Sequence, residues 1–402
     1  MVNYQEQLAV CTDCSCLCDD LKWSQMYGWL EQTKCHRLRS NKFDFKTKIS
    51  NYQDILENIN TKITDSIKYN QRIAFTGLEH LSFESQKLAI EMARRIHAWI
   101  ISDENGISAE PWDLTFSQLG GWYASWSEIR LRSDSLLLWY APLWETHPRW
   151  VERFGPRSHH AHRLAVIEPE AKIDDNHWFE EQVVRVDTEH VLAFMTDLRM
   201  ALKNQSDNHP DGNIRKLIHH FNHSHWLSIV KSEDPSVISD KLAYAHSLMK
   251  IVMESNRPDR RVVMTSISQA PNSYGLSAIQ SWRTGLHMPI WFSPEGPVFR
   301  PDEIKPDGFD LLISFGVNKP RLLADLVIWM NPRGHEIIHL DDFIEIPVSE
   351  VGVDLGGTFI RQDGVRIQAE KRIESNRLHV SDFINGFINL EIADANFWRE
   401  RS

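Results

Sequence analysis

Four cysteines lie within eight positions near the start of the 402-residue chain, in the stretch CTDCSCLCDD. Cys11, Cys14 and Cys18 follow the spacing Cys-x2-Cys-x3-Cys, and Cys35 comes after sixteen more residues. Short spacings let one tight loop supply three thiolates, and each iron of a [4Fe–4S] cluster needs one thiolate. The motif therefore predicts an iron–sulfur cluster held by Cys11, Cys14, Cys18 and Cys35, with Cys16 left over.

Two other interpretations of the cysteines stay open. A structural zinc site can also use four thiolates, but it usually arranges them as two Cys-x2-Cys pairs, which this sequence lacks. The thiols could also be reactive groups, or an inherited motif that holds no metal. Asp19 and Asp20 follow the motif and are expected to be solvated carboxylates of the loop rather than ligands.

Composition and charge exclude several classes of protein. The chain is 42% hydrophobic and 25% charged, which is typical of a globular protein. Its net charge is −11 and it has no long basic run, so nucleic acid and anionic membranes are not expected as partners. It also lacks a long apolar run and a signal-peptide pattern. We expect a cytoplasmic protein, where clustered cysteines are metal ligands more often than disulfides.

Fifteen tryptophans are many for a chain of this length. Their ordinary explanation is packing in the core. The alternative is a large interface with another protein, because tryptophan is enriched where an apolar surface meets a partner.

Two hydrophobic patterns alternate along the rest of the chain, and the elements that they predict must position the cysteines. Short apolar runs rich in β-branched residues predict strands buried in a parallel sheet, at 72–77, 134–141, 162–169, 182–187, 260–267, 309–317, 335–342 and 343–349. Apolar residues at helical spacing predict helices at 83–100, 191–204, 241–254 and 277–287. Strands that alternate with helices predict βαβ units, and hence an α/β fold with doubly wound parallel sheets.

The order of strands and helices is similar in the two halves of the chain, which predicts two α/β units with a polar linker near 203–213. The predicted domains are an N-terminal cysteine module at 1–50, a first unit at 51–205, a second unit at 206–345 and a C-terminal segment at 346–402 that returns to the core.

One further motif has metal-ligand spacing. The stretch HEIIH at 335–339 matches the HExxH pattern of zinc proteases, which requires a helix so that both histidines share a face. Here the motif lies in a predicted strand. Zinc protease chemistry is therefore not expected.

The cysteine motif resembles the opening of the B subunit of formylmethanofuran dehydrogenase, a molybdopterin- or tungstopterin-dependent enzyme of the formate dehydrogenase type. The segment 122–154, with its Thr-His-Pro-Arg run, and the segment 356–368 (GGTFIRQDGVRIQ) are similar to two further stretches of that family. The resemblance covers most of the chain in the same order. It implies two units of the molybdopterin-oxidoreductase fold, with the same four cysteines as cluster ligands.

The sequence departs from the family at one place that matters for redox chemistry. The family's enzymes carry a sulfur or selenium ligand for the pterin-held metal on a loop before the similar segment. The corresponding stretch at 102–122 contains neither cysteine nor selenocysteine, and Glu110 or a neighbour takes that place. This departure from the family predicts that molybdopterin or tungstopterin is absent. His147 and Arg149 are then expected to have a structural role at the interface with a partner.

A close relative of the family fits this departure. The formyltransferase/hydrolase complex has a B subunit similar to that of the dehydrogenase but without its redox role. This resemblance implies a non-catalytic scaffold in a complex that converts formyl-tetrahydromethanopterin to formate in one-carbon metabolism. The implied partners are amidohydrolase-like, formyltransferase-like and small C-type subunits. The alternative is a working B subunit of formylmethanofuran dehydrogenase, which is a pterin- and iron–sulfur-dependent oxidoreductase.

Overall fold

The computed structural model divides the chain into two compact units. The first comprises Met1–Thr33, Arg37–Ala109 and Ala270–Ser402, and the second comprises Lys34–His36 and Glu110–Gln269. The structure describes residues 7–24, 28–29, 35, 52–101, 112, 115, 118–156, 163–168, 180–204, 208–232, 240–286, 289–299, 308–320, 322 and 324–393.

The described strands are β1 (Gln7–Ala9), β2 (Leu21–Ser24), β3 (Gly28–Trp29), β4 (Ile73–Thr76), β5 (Trp99–Ile100), β6 (Ser135–Trp139), β7 (Arg163–Glu168), β8 (Glu180–Arg185), β9 (Trp226–Ser232), β10 (Arg261–Ile267), β11 (Ile290–Ser293), β12 (Gly296–Phe299), β13 (Phe309–Phe315), β14 (Ala324–Asn331), β15 (Ile338–His339), β16 (Phe343–Pro347), β17 (Gly357–Ile360) and β18 (Arg366–Ala369). The described helices are α1 (Tyr52–Lys68), α2 (Phe83–Arg95), α3 (Trp126–Arg132), α4 (Leu143–Thr146), α5 (Trp150–Phe154), α6 (Val191–Asn204), α7 (Gly212–Asn222), α8 (Lys241–Ser255), α9 (Ser273–Thr284) and α10 (Val380–Ala393).

The first unit is built around an eight-stranded mixed sheet in the order β12-β11-β5-β4-β13-β14-β16-β15. The five neighbouring strands β5, β4, β13, β14 and β16 pair in parallel. The outer strands β11, β12 and β15 pair antiparallel. Successive side chains of a strand point to opposite faces. Accordingly Leu311 and Ile313 join a large core with α1, α2 and α10, whereas Leu312 joins a smaller cluster with Trp99 and Trp329.

Two small antiparallel sheets complete the first unit. The strands β1, β2 and β3 form one sheet, and β17 and β18 form a hairpin. The cysteine motif lies between β1 and β2.

The second unit has a five-stranded sheet in the order β10-β9-β6-β7-β8, and all of its pairs are parallel. Strands β7 and β8 follow on one side of β6, while β9 and β10 lie on its other side. This arrangement is a doubly wound sheet. Its core packs Leu137, Ile229 and Val262 from the strands against α6, α7 and α8.

The α/β fold with parallel sheets that the sequence predicts is confirmed. The unit boundaries differ from the predicted blocks 1–50, 51–205, 206–345 and 346–402. The reason is that the chain leaves the first unit after Ala109 and returns to it at Ala270. The early strand β4 consequently pairs with the late strand β13.

Several local predictions need correction. The helix predicted at 83–100 ends at Arg95, and Trp99–Ile100 is strand β5. The strand predicted at 335–342 is reduced to the two residues of β15, while the sequence analysis missed β9 and β14. In the described ranges, no helix combines the length and the apolar character needed to cross a membrane.

Candidate functional site

The cysteine motif forms a closed loop between β1 and β2, which we call the cysteine loop (Cys11–Cys18). The backbone N–H of Cys11 donates to the carbonyl of Cys18 at 2.8 Å, and the N–H of Leu17 donates to the carbonyl of Cys14 at 3.2 Å. Leu17 has a φ of 44°, in the left-handed region that a leucine rarely adopts. Its side chain is fully buried, so packing holds this strained turn.

All four thiols of the cysteine loop are buried and none forms a disulfide. Cys16, which the sequence analysis left over, is the most buried of them at 1% exposure. Its sulfur interacts with the thiols of Cys14 and Cys18. The thiol of Cys11 donates to the carboxylate of Asp13 at 3.5 Å. The local sequence thus gathers the three close motif cysteines in one place, with Cys16 among them.

A partly buried ion-pair network connects the cysteine loop with residues near the other end of the chain. The guanidinium of Arg333 pairs with the carboxylates of Asp13 and Glu350, the latter at 3.2 Å. Burial lowers the pKa of Arg333, but the two carboxylates outweigh it and raise that pKa. Burial is also the main reason why the pKa of Glu350 rises to about 6. The network therefore joins residues more than 300 positions apart.

A second arginine supports the strand that leads into the cysteine loop. Arg372 donates to the carbonyl of Val10 at 2.6 Å, and its guanidinium lies 5.1 Å from the ring centre of Trp23. Burial lowers the pKa of Arg372 to about 10, while Cys11 and Glu350 partly oppose this. A small apolar cluster that contains Leu17 lies beside these residues: Val10, Leu17, Val351, Leu355, Phe359, Ile367 and Ala369.

The electrostatics of the thiols bear on metal binding. Burial raises the pKa of Cys11 and of Cys16 well above that of a free thiol, and the neighbouring cysteines add to the effect. A thiol must lose its proton to bind a metal, so a soft cation would take the place of those protons. Several sulfur donors in one sheltered loop fit a thiophilic metal centre.

Cys35 is half-buried and is assigned to the second unit. Asp19 and Asp20 are exposed at the end of the cysteine loop. Glu110 lies outside the described residues.

The Thr-His-Pro-Arg run lies in the second unit, between α4 and α5. The Nε2 atom of the buried His147 is 2.7 Å from the carbonyl oxygen of Ser268, and its Nδ1 atom is 2.9 Å from the hydroxyl of Thr146. Arg149 is buried and donates to Glu152 at 3.0 Å. Both motif residues have polar partners within the unit, which is the geometry of a structural role.

The HEIIH stretch has no helical geometry. Ile338–His339 is strand β15, and His335, Glu336 and His339 are exposed. A zinc protease site needs the two histidines on one helical face, so this motif does not form one.

Sequence reasoning missed the residues that support the cysteine loop. Arg333, Glu350 and Arg372 are distant from the motif in sequence, and no local pattern connects them with it. The sequence shows these three only as charged residues near apolar runs, which does not distinguish them from ordinary surface residues.

Comparison with known proteins places these observations in context. No family model matches the chain. The B subunit of the tungsten-containing formylmethanofuran dehydrogenase 2 of Methanococcus maripaludis is 20% identical over 339 residues, which cover 76% of each chain.

A solved structure shares the fold. The X-ray crystal structure of the formyltransferase/hydrolase complex (FhcABCD) from Methylorubrum extorquens, in complex with methylofuran, contains a chain that matches with a TM-score of 0.64. The two chains are 13% identical, and the match covers 84% of this chain and 97% of that one. The chain is therefore related to the B subunit of formylmethanofuran dehydrogenase, as its motifs predict, and has the fold of a chain of the formyltransferase/hydrolase complex.

Proposed function

We propose that the chain is a non-catalytic scaffold subunit of a formyltransferase/hydrolase complex that acts in the cytoplasm. This complex would convert formyl-tetrahydromethanopterin to formate in one-carbon metabolism. The observation that carries the proposal is the fold match to a chain of the complex from Methylorubrum extorquens, which extends over 97% of that chain.

The absence of a redox role is supported by the sequence. The stretch 102–122 contains no cysteine or selenocysteine that could hold a pterin-bound metal. Soft sulfur or selenium donors suit such a metal, and a carboxylate at Glu110 would be a hard substitute. We therefore propose that the complex contains no molybdopterin or tungstopterin. A working B subunit of formylmethanofuran dehydrogenase is the alternative that the test below distinguishes.

The proposed partners are amidohydrolase-like, formyltransferase-like and small C-type subunits. Co-expression of this chain with those three proteins of its own organism should give a complex that can be purified. Elemental analysis should find no molybdenum or tungsten. The complex should release formate from formyl-tetrahydromethanopterin without reducing a viologen dye.

Two results would overturn this function. One equivalent of molybdenum or tungsten, with dye reduction that is lost in Glu110→Ala, would make the chain part of a dehydrogenase. A chain that binds none of the three proteins would not be a scaffold.

We further propose, from the motif spacing, that Cys11, Cys14, Cys18 and Cys35 hold a [4Fe–4S] cluster. The buried sulfur donors of the cysteine loop support a metal centre. Anaerobic protein should then contain about four irons per chain and absorb near ~400 nm. Each of the four Cys→Ser substitutions should abolish this absorbance, whereas the matched control Cys16→Ser should keep it. Stoichiometric zinc without iron would replace the cluster by a four-thiolate zinc site.

A further inference from the structure

We propose that the exposed face of helix α9 docks another subunit of the complex, through an apolar pocket on that subunit rimmed by carboxylates. This inference rests on the proposed function, because it names the surface through which the scaffold would bind a partner. Four observations on the first unit carry it.

Helix α9 has two different faces. Leu276 and Ile279 are buried and belong to the core of the first unit. Tyr274, Ala278 and Trp282, spaced four residues apart, lie along the opposite face and are exposed. Residues at this spacing share one side of a helix, so they form a continuous stripe, which we call the α9 stripe.

Trp282 is the most unusual member of the α9 stripe. Its exposed fraction is 76%, the highest among the large hydrophobic side chains of the described residues. Tyr274 is also exposed. A helix that needed only its core-facing side would carry polar residues here. Exposed large apolar residues that form a patch indicate an interaction site rather than chance.

The stripe continues onto the β17–β18 hairpin. A Cβ atom built at Gly364 would lie 3.6 Å from the hydroxyl oxygen of Tyr274, so the hairpin turn lies against that ring. Gly364 has a φ of 82°, which favours glycine and keeps the turn tight. Val365, the next residue, is exposed. The apolar surface therefore extends beyond the helix itself.

Positive charge lies beside the α9 stripe. Arg94 and Arg95 of helix α2 bond to Glu91 at 2.7 and 3.0 Å, and Arg283, next to Trp282, lies 3.7 Å from the same carboxylate. Hydrogen bonds from Arg94 and then Arg95 outweigh the effect of burial and lower the pKa of Glu91 to about 2. Three guanidiniums thus lie around one carboxylate, and a net positive rim remains.

This combination specifies the chemistry of the partner. Tryptophan, tyrosine and arginine are the residues that dominate binding energy at protein interfaces. The arginine rim favours carboxylates around the pocket that receives Trp282. The same face of a second copy would bring two positive rims together in a symmetric pair, which disfavours self-association through this surface.

The test uses the full chain, co-expressed with the amidohydrolase-like, formyltransferase-like and small subunits of its organism. Trp282→Ser should weaken retention of those subunits about tenfold or more, as expected for a central interface residue. Arg283→Glu should also weaken it, but less, because this arginine belongs to the positive rim. Leu131→Ser is the matched control, because Leu131 is equally exposed, at 74%, but lies on α3 in the second unit. It should retain the subunits as the unchanged chain does. Thermal denaturation should show that all three variants are folded.

The outcomes separate this surface from the proposed function. If the unchanged chain assembles and both variants assemble equally well, the α9 stripe is not the docking surface, while the scaffold function stands. If the unchanged chain retains none of the three proteins, both proposals are overturned. A photo-crosslinker at position 282 should label one of those proteins. Labelling of a second copy of this chain would overturn the proposed occupant.

Discussion

Two of the three segments that carry the sequence resemblance are held in place by different interactions. The cysteine loop in the first unit is held by ion pairs, which Arg333 forms with the carboxylates of Asp13 and Glu350. The segment around the Thr-His-Pro-Arg run in the second unit is held by aromatic packing. There Trp126 and Trp150 meet edge to face at 5.8 Å.

This difference follows from what each segment can bury. The cysteine loop offers small polar residues and thiols, and its one large apolar side chain is Leu17. The aromatic segment instead buries Trp126, Trp150 and Phe154, and the indole N–H of Trp126 donates to Thr265 at 2.9 Å. Full apolar burial is worth more per residue than an ion pair that is only partly buried. We therefore expect the second unit to lose more stability when its anchor is removed.

The largest effect is expected for Trp150→Ala. The side chain is fully buried against Trp126 and Phe154, so its removal leaves a cavity as well as lost burial. The free energy of unfolding should fall by about 3–5 kcal/mol. Urea denaturation followed by circular dichroism measures this. Trp282→Ala is the control, because this exposed indole should change the stability by about 0.5 kcal/mol or less. A loss below about 1 kcal/mol for Trp150→Ala would contradict aromatic anchoring.

A smaller loss is expected for Arg333→Ala. The change removes the guanidinium that pairs with the carboxylates of both Asp13 and Glu350. Breaking a buried pair costs about 3–5 kcal/mol, and we expect about 3 kcal/mol or slightly less because Arg333 keeps 26% exposure. Maleimide should also react faster with the cysteine loop.

Lys371→Ala provides the matched comparison for the ion pair. Lys371 bonds to the largely exposed Glu374 at 2.6 Å, and surface pairs contribute about 0–1 kcal/mol. Equal effects of the two substitutions, with unchanged thiol reactivity, would show that charge does not anchor the cysteine loop.

The ion-pair network of the first unit should also make the free energy of unfolding depend on pH. The pKa of Glu350 is raised to about 6, mainly by burial, so the folded protein holds this proton more tightly than the unfolded chain. The stabilisation is fully present below pH 4.5 and is lost as the pH rises through about 6, a change of about 2 kcal/mol at most. Urea denaturation at several pH values gives the free energy of unfolding as a function of pH. Between pH 4.5 and about 6 this free energy should change less with pH in Glu350→Gln than in the unchanged chain. The same pH dependence in both proteins would argue against a raised pKa of Glu350.

The smallest effect is expected at the start of helix α3, which carries Trp126. Ser125 and Glu128 form a capping box, in which the serine hydroxyl accepts from the N–H of Glu128 at 3.2 Å. Ser125→Ala should cost about 1 kcal/mol. Ser281→Ala is the control, because that hydroxyl bonds within its own helix α9. A loss as large as that of Trp150→Ala would mean that the cap, rather than the aromatic packing, positions the segment.

The sequence alone determined the elements whose signals are local. The apolar runs at 134–141 and 260–267 predicted β6 and β10, and the helical spacing at 191–204 and 241–254 predicted α6 and α8. The cysteine spacing likewise predicted a tight loop. These features depend on side-chain periodicity and turn chemistry within about twenty residues, which a sequence displays directly.

The tertiary structure alone decided which elements belong together. The pairing of β4 with β13 joins residues far apart in the chain, and it turned the predicted consecutive units into interleaved ones. The pairing of Asp13 with Arg333 spans 320 positions, and Cys16 lies deepest among the thiols although its spacing marked it as spare. Burial and charge pairing at such separations depend on the three-dimensional packing of the whole unit, so no local pattern in the sequence encodes them.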